Sequence, residues 1–396
     1  MSNNTLAIVL GLSPTGLYVI RELGKQGVPV LGITDGFECG RSSKFLSHPN
    51  RYWQLTNEQE LLAKLCSMAE LTDTKPVLLP TADRHIDFIS RFSDQLKKYF
   101  VFQTSYAPNR VSFILDKSKF YALCEQHGLA FPYLWRVQRD LLSTLINDIR
   151  FPCIIKPSLI HEVRHFMAGK KVLLAHDRSE YEKVIKPIPE SASGWLVQEI
   201  IPGPESNIRL FGGYFDLKSL PQQTFTASKL RQYPPGFGSA SLVESRWHEE
   251  IHTASVDFLK KIGFQGICGT EFKIDPRDNV PKMIEINPRP TLWFHITHTA
   301  NKRIAYAAYR DLQSLSIPSE VPQKEGILWR YALKDIYSSI FYVMKKRSFI
   351  FPPPQVGKKW GQKTQTDSWA VFDKHDPVPT VAELFNYFHK AMQRFW

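Results

Sequence analysis

The sequence predicts an α/β protein: a parallel α/β domain at the N-terminus, followed by α+β subdomains. Three observations carry this. Buried-strand patterns alternate with helical ones over roughly residues 1 to 110. Short strand-like runs outnumber helices after that. A chain of 396 residues is also too long for one hydrophobic core. The expected divisions are 1–110 (parallel α/β), 111–205 and 206–320 (two α+β subdomains), and 321–396 (a basic, aromatic, proline-marked C-terminal extension).

The apolar run LAIVLGL reads as the first strand. It turns at Ser13-Pro14-Thr15-Gly16 and continues as LYVIRELGKQG, a helix closed by Gly27. VPVLGITD is a second buried strand, LLAKLCSMAE a helix, PVLLPT a strand and HIDFISRFSDQLKKYF another helix. DKSKFYALCEQHG is a helix closed by Gly128, with an extended piece after it. FPCIIKPS, GKKVLLAHD and WLVQEIIPG read as three strands, the last ending at the turn Pro202-Gly203. Between Asn207 and Asp275, short strands flank the amphipathic helix EEIHTASVDFLKKIG.

With 43% hydrophobic and 22% charged residues, the chain has the composition of a globular protein and not a disordered one. Five widely spaced cysteines without a C-x-x-C pair argue against a zinc or redox dithiol site. Neither a signal peptide nor an apolar run of about 20 residues is present, so a cytoplasmic location is expected. A net charge of +12 favours a polyanionic partner without choosing among nucleotide, nucleic acid and anionic lipid.

The chemistry concentrates in GTEFKIDPRDNVPKMIEINPRP. Glu285, Asn287 and Arg289 recur every second residue, so a strand would point them to one face, and a hairpin could bring Glu271 beside them. Two carboxylates and an amide oxygen make a hard oxygen site suited to Mg2+, with Mn2+ as a substitute. Arg289 adds a planar fork able to hold a phosphoryl oxygen or an oxyanion. The plainer reading is a set of strand-end charges neutralised by Lys273, Lys282 and Arg277. An Asn between Glu and Arg on one strand face is a poor core solution, which favours the metal site.

This E-x13-E-x-N-P-R arrangement resembles the metal-binding end of the ATP-grasp superfamily, which includes D-alanine ligases, biotin carboxylases and carbamoyl phosphate synthetases. The resemblance covers approximately residues 1 to 310 and implies an ATP-grasp fold, ATP with Mg2+ as cofactors, and two upstream lysines reaching the phosphates. Lys117 in DKSKFY and Lys156 in CIIKPS fill those places. WLVQEIIPGPES is similar to the family's adenine hinge. Gln198 and Glu199 would face the base, with Glu199 accepting from its amino group, Ile201 serving through its backbone and Glu205 accepting from the ribose. In TASKLRQYPPGFGSA, Lys229 and Arg231 are expected on a loop that touches the γ-phosphate or acceptor, as catalytic residues beside Arg289.

The pattern further resembles carboxylate-amine ligases of the D-aspartate ligase-like group, which implies small carboxylate and amine substrates such as amino acids. One departure stands out. The family's glycine-rich phosphate loop is replaced by SLIHEVRHFMAGKK, where only Gly169 remains and Arg164, His165, Lys170 and Lys171 would supply charge.

Two other readings compete. GLSPTG followed by a strand ending at Asp35 has the outline of a dinucleotide fingerprint, but Ser13 replaces its middle glycine and would crowd a pyrophosphate. In the extension, KDIYSSIFYVMKKRSFIFPPP interleaves basic and aromatic residues and reads first as a partly buried helix with a solvated basic face. Nucleic acid is an unlikely partner, and peripheral membrane contact through this stretch is the alternative. His295 in WFHITHTA is a candidate for lining the acceptor pocket.

Overall fold

The computed structural model describes residues 4–158, 163–167, 172–189, 194–344, 349–356 and 367–395. The first sheet contains β1 (Ala7–Leu10), β2 (Val30–Thr34), β3 (Tyr52–Gln54) and β4 (Val77–Pro80), in the order β3-β2-β1-β4 and parallel throughout. β1, β2 and β4 are buried along their whole length, which is why they read as continuous apolar runs and not as alternating ones. The three-residue edge strand β3 is too short to leave a periodic signal and was not expected. The helix expected over 85–100 breaks at Phe92 into Asp83–Arg91 and Ser93–Tyr99.

A second sheet, antiparallel, contains β5 (Leu134–Val137), β6 (Cys153–Pro157), β7 (Leu173–Ala175) and β8 (Trp195–Glu199), in the order β5-β8-β6-β7. The third is built from β9 (Ile208–Phe215), β10 (Pro221–Tyr233), β11 (Ser239–Ser245), β12 (Gly266–Ile274), β13 (Pro281–Asn287), β14 (Leu328–Arg330) and β15 (Asp367–Trp369). Its order is β13-β12-β9-β10-β11-β14-β15, antiparallel except for the last pair. Gly128 and Gly263 adopt φ of +68° and +64° immediately after the helices Lys117–Gln126 and Glu249–Lys261, closing them as the sequence predicts.

The C-terminal residues are less separate than an extension. β14 and β15 complete the large sheet, and Asp376 reaches back to the first helix. There Arg21 and Ser43 donate to its carboxylate at 2.9 and 2.7 Å, with Arg21 and Asp376 both 1% exposed. Among the described residues, no helix is long and apolar enough to cross a membrane.

The N-terminal glycine turn is closed by the protein itself. The Leu12 N–H donates to the Glu38 carboxylate at 2.5 Å, and Asp35 is paired with Arg84. The backbone donor and the acid that a dinucleotide would engage thus make internal contacts.

Candidate active site

A cleft lies between the antiparallel sheets. One wall carries Lys117, Ile154, Lys156 and the strand edge from Gln198 to Ile201; the other carries Ile208, Lys229, Glu271, Lys273, Ile284 and Glu285. Strand register explains the second wall. Lys229 pairs with Ile208, and Ile208 with Lys273, so the three side chains share a face. Glu271 lies two residues from Lys273 and directly opposite Glu285. The register slips between Glu271 and Phe272, leaving Ile284 as an extra residue on β13. Such a bulge re-aims side chains, and here both Ile284 and Glu285 line the cleft.

Two carboxylates opposed across a hairpin repel each other unless a cation lies between or beside them. Part of the compensation is internal: Lys229 Nζ is 2.5 Å from Glu271 Oε2, both largely shielded from solvent. The other cations considered for this role are used elsewhere. Arg277 and Lys282 both bind Asp275, at 2.5 Å each, and hold its carboxyl well below the usual range. Asn287 lies beyond Glu285 and accepts from Arg289 Nη2 at 3.1 Å. Arg289 is fixed to Asp83 of the N-terminal domain at 2.6 Å. Glu271, Glu285 and Asn287 offer only hard oxygens, and that donor set fits Mg2+ or Mn2+.

On the facing wall, Asp116 caps the helix Lys117–Gln126 by accepting from Ser118 and Lys119 N–H, and the Lys117 N–H reaches Ser158 O at 3.2 Å. This sets the Lys117 ammonium close to that of Lys156. Lys156 is buried, and its pKa falls to about 7 through desolvation and the Lys117 charge, with Glu285 opposing the shift. Its Nζ donates to Tyr121 Oη at 3.2 Å, and Tyr121 donates to Ile284 O at 2.9 Å, so one phenol links the two walls. Gln198 Oε1 lies 3.3 Å from the same hydroxyl.

A pH test follows. A polyphosphate would hold Lys156 protonated, so binding at pH 8 should take up a proton, whereas at pH 6 the ammonium is already charged and uptake should vanish. Calorimetry in buffers of different ionisation enthalpy measures this. Equal uptake at both pH values would remove Lys156 from the phosphate site.

Four expectations are corrected. Glu199 lines the cleft, but its carboxylate is already engaged: it accepts from Tyr133 N–H at 3.0 Å and pairs with Arg277 at 2.9 Å. Glu205, 1% exposed, accepts from the N–H groups of Gln232 and Gly236 at 3.0 and 2.5 Å and holds that turn, which leaves no carboxylate for a ribose. Burial raises its pKa despite these donors.

Lys229 and Arg231 both lie on strand β10 and not in a loop. Leu230 is an extra residue in the pairing with β11, which breaks the two-residue alternation, so Arg231 does not follow Lys229 into the cleft. It makes two 2.8 Å bonds to buried Asp335 instead. His295 is buried against Ser368 of β15 at 3.2 Å, and desolvation lowers its pKa to about 3; it is not on the cleft wall.

Ile201 lines the cleft, but its carbonyl accepts from Lys273 at 2.8 Å, so the N–H is what it can offer a ligand. Of the stretch that replaces the glycine-rich loop, Gly169, Lys170 and Lys171 lie outside the described residues. Of that stretch, Arg164 begins the short helix Arg164–Met167.

Among the elements that sequence reasoning missed are the cleft residues Lys273 and Phe351 and the buried Tyr121 behind Lys156. Lys273 could have been found, since it lies two residues after Glu271 on the same strand. Burial lowers its pKa to about 7. Tyr121 follows Lys117 by one helical turn, but nothing local marks its hydroxyl as a link. Phe351 had no signal: it comes from the C-terminal region, lines the cleft, and lies 4.2 Å from Lys273 Nζ by its ring centroid.

Residues 114–292 match the ATP-grasp domain family. The D-aspartate ligase of Enterococcus faecium (strain Aus0004) is 27% identical over 226 residues, covering 54% of this chain and 53% of that protein. The carbamoyl phosphate synthase large chain of Myxococcus xanthus (strain DK1622) is 23% identical over 294 residues, 69% of this chain and 25% of the relative. The chain thus spans about half or less of the length of these curated relatives.

Among solved structures, an ADP complex of N5-carboxyaminoimidazole ribonucleotide synthetase superposes with a TM-score of 0.63 at 14% identity, covering 81% of this chain and 80% of the other. The Staphylococcus aureus N5-carboxyaminoimidazole synthetase with ADP gives 0.60 at 13%, with the same coverage. Residues 114–292 thus resemble the ATP-grasp domain family, and the fold shared with these solved structures extends over 81% of the chain.

Proposed function

We propose that this protein is an ATP- and Mg2+-dependent ligase that joins a small carboxylate to an amine through an acyl phosphate. The observation that carries the reading is the facing pair Glu271 and Glu285 on one wall of a cleft whose other wall presents Lys117 and Lys156. A divalent cation on one side and two ammonium groups on the other complement a polyphosphate. The match to D-aspartate ligase supports an amino acid, aspartate first, as the carboxylate substrate.

In this reading the base lies along Gln198–Ile201, and Lys117 and Lys156 hold the phosphate oxygens. Magnesium, or manganese in its place, supplies charge neutralisation at the phosphates when bound. A substrate carboxylate oxygen attacks the γ-phosphorus and ADP leaves. The amine nitrogen then attacks the acyl carbon, loses its proton and expels phosphate. Lys229, bonded to Glu271, keeps a positive charge near the transferring group. Arg289, anchored by Asp83 and Asn287, is the donor available to the oxyanion of the tetrahedral species. No protein nucleophile is required, since positioning and charge neutralisation are what phosphoryl transfer asks of the protein.

The experiment is calorimetric titration of ATP with and without magnesium, beside NADH and a short RNA, on wild type and Lys156→Ala, followed by ADP release with a panel of amino acids. Magnesium-dependent ATP binding, weakened roughly a hundredfold or more in the variant, is expected. Tight NADH or RNA binding with no ATP binding would overturn the proposal.

A further inference from the structure

The helix Ala332–Met344 is turned inside out. Its buried side chains are Asp335, Ser338 and Tyr342. Asp335 pairs with Arg231, Ser338 donates to Gln232 O at 2.8 Å, and Tyr342 lies beside Glu205. The opposite side exposes Leu333, Ile336, Tyr337, Ile340, Val343 and Met344, with Val343 87% and Met344 77% exposed. At 3.6 residues per turn these six fall within an arc of roughly 120°, centred opposite the three buried polar residues. The sequence had read as a helix with a solvated basic face; the solvated face is apolar. A folded chain exposes a continuous row of this kind when something covers it.

Charge selects the occupant. Between residues 332 and 356 the sequence has four bases, Lys334, Lys345, Lys346 and Arg347, and one acid, Asp335. That acid is buried in its ion pair with Arg231. Lys345, Lys346 and Arg347 lie outside the described residues, but they follow the helix directly in sequence. A second copy of this chain would bring the same positive segment, and another net +12, against itself. An anionic lipid surface instead offers hydrocarbon to the apolar row and negative headgroups to the bases.

We propose that the exposed face of the helix 332–344 docks this protein on an anionic phospholipid surface, the helix lying in the plane of the interface. The inner face of the same helix is bonded to β10, the strand that carries Lys229 into the cleft. Docking would therefore hold the cleft at a fixed height above the lipid, about one helix diameter away. The proposal does not rest on the ligase reading, because binding to vesicles needs no turnover.

The test is co-sedimentation of the full chain with vesicles of phosphatidylcholine alone and of phosphatidylcholine with about one third phosphatidylglycerol. Binding is expected only to the anionic vesicles and should weaken as salt rises. Ile340→Glu with Val343→Glu should lower it at least about tenfold while leaving the melting temperature and ATP affinity as in wild type. If the double variant fails to fold, Val343→Glu alone asks the same question at the most exposed position.

Absence of binding to anionic vesicles, equal binding to neutral ones, or full binding by a folded double variant would each overturn the proposal. A dimer in sedimentation analysis that the double variant dissociates, without vesicle binding, would overturn it in favour of a second copy.

Discussion

Glu285→Ala is expected to lose magnesium-dependent ATP turnover by at least about a thousandfold, the several kcal/mol that a divalent cation contributes at a transferring phosphoryl group. The fold should survive. Glu285 faces Glu271 across the hairpin but also attracts Lys156 and Arg289, so removing it trades relieved repulsion for lost attraction, and thermal stability without magnesium should change little. The pair of readouts distinguishes a ligand to the cation from a structural acid: activity falls while stability does not. Glu271 is a less clean target, because its partner Lys229 would be left with a buried, uncompensated ammonium. A Glu285→Ala protein that turns ATP over normally would refute the assignment of this face as the metal site.

Asp335→Ala is expected to destabilise the protein by roughly 3–5 kcal/mol, measured by chemical denaturation. Asp335 is nearly inaccessible and takes both donors of Arg231, so its removal strands a guanidinium between strand and helix. Replacing both partners, as in Arg231→Met with Asp335→Leu, should recover much of the loss, because an apolar pair of similar volume avoids the desolvation cost. The double variant should also bind ATP as wild type does. That second readout separates the structural role observed for Arg231 from the catalytic one its sequence neighbourhood implied, since a phosphate-binding arginine could not be replaced by methionine without loss of affinity.

Lys229 and Arg231 show how far sequence could reach. Two basic residues two apart, next to Pro-Pro-Gly, read alike as loop residues available to a ligand, yet both lie on strand β10. A single extra residue, Leu230, separates them, sending one into the cleft and the other to a helix 104 positions away in sequence. Bulges depend on how a strand meets its neighbour, which short-range periodicity does not record. Glu199 and Glu205 make the same point. Their positions on the hinge were legible, but the choice between offering a carboxylate to a ligand and spending it on Tyr133, Arg277, Gln232 and Gly236 depended on which backbone donors the fold brought near.

What the sequence by itself determined was the part encoded at short range. The buried strands β1, β2 and β4 and the helix end at Gly128 follow from periods of two and 3.6 residues and from turn residues, whereas the exact facing of Glu271 and Glu285 also needs the bulge at Ile284. The two-lysine, two-glutamate outline of the cleft belongs to the same class, because each member sits in a recognisable local pattern. Tertiary structure alone decided the place of Phe351 in the cleft lining, the inward turn of Asp335, Ser338 and Tyr342, and the exposure of an apolar helix face. The reason is physical: a side chain's role is set by the lowest free-energy partner within reach, and in the folded chain that partner is often remote in sequence.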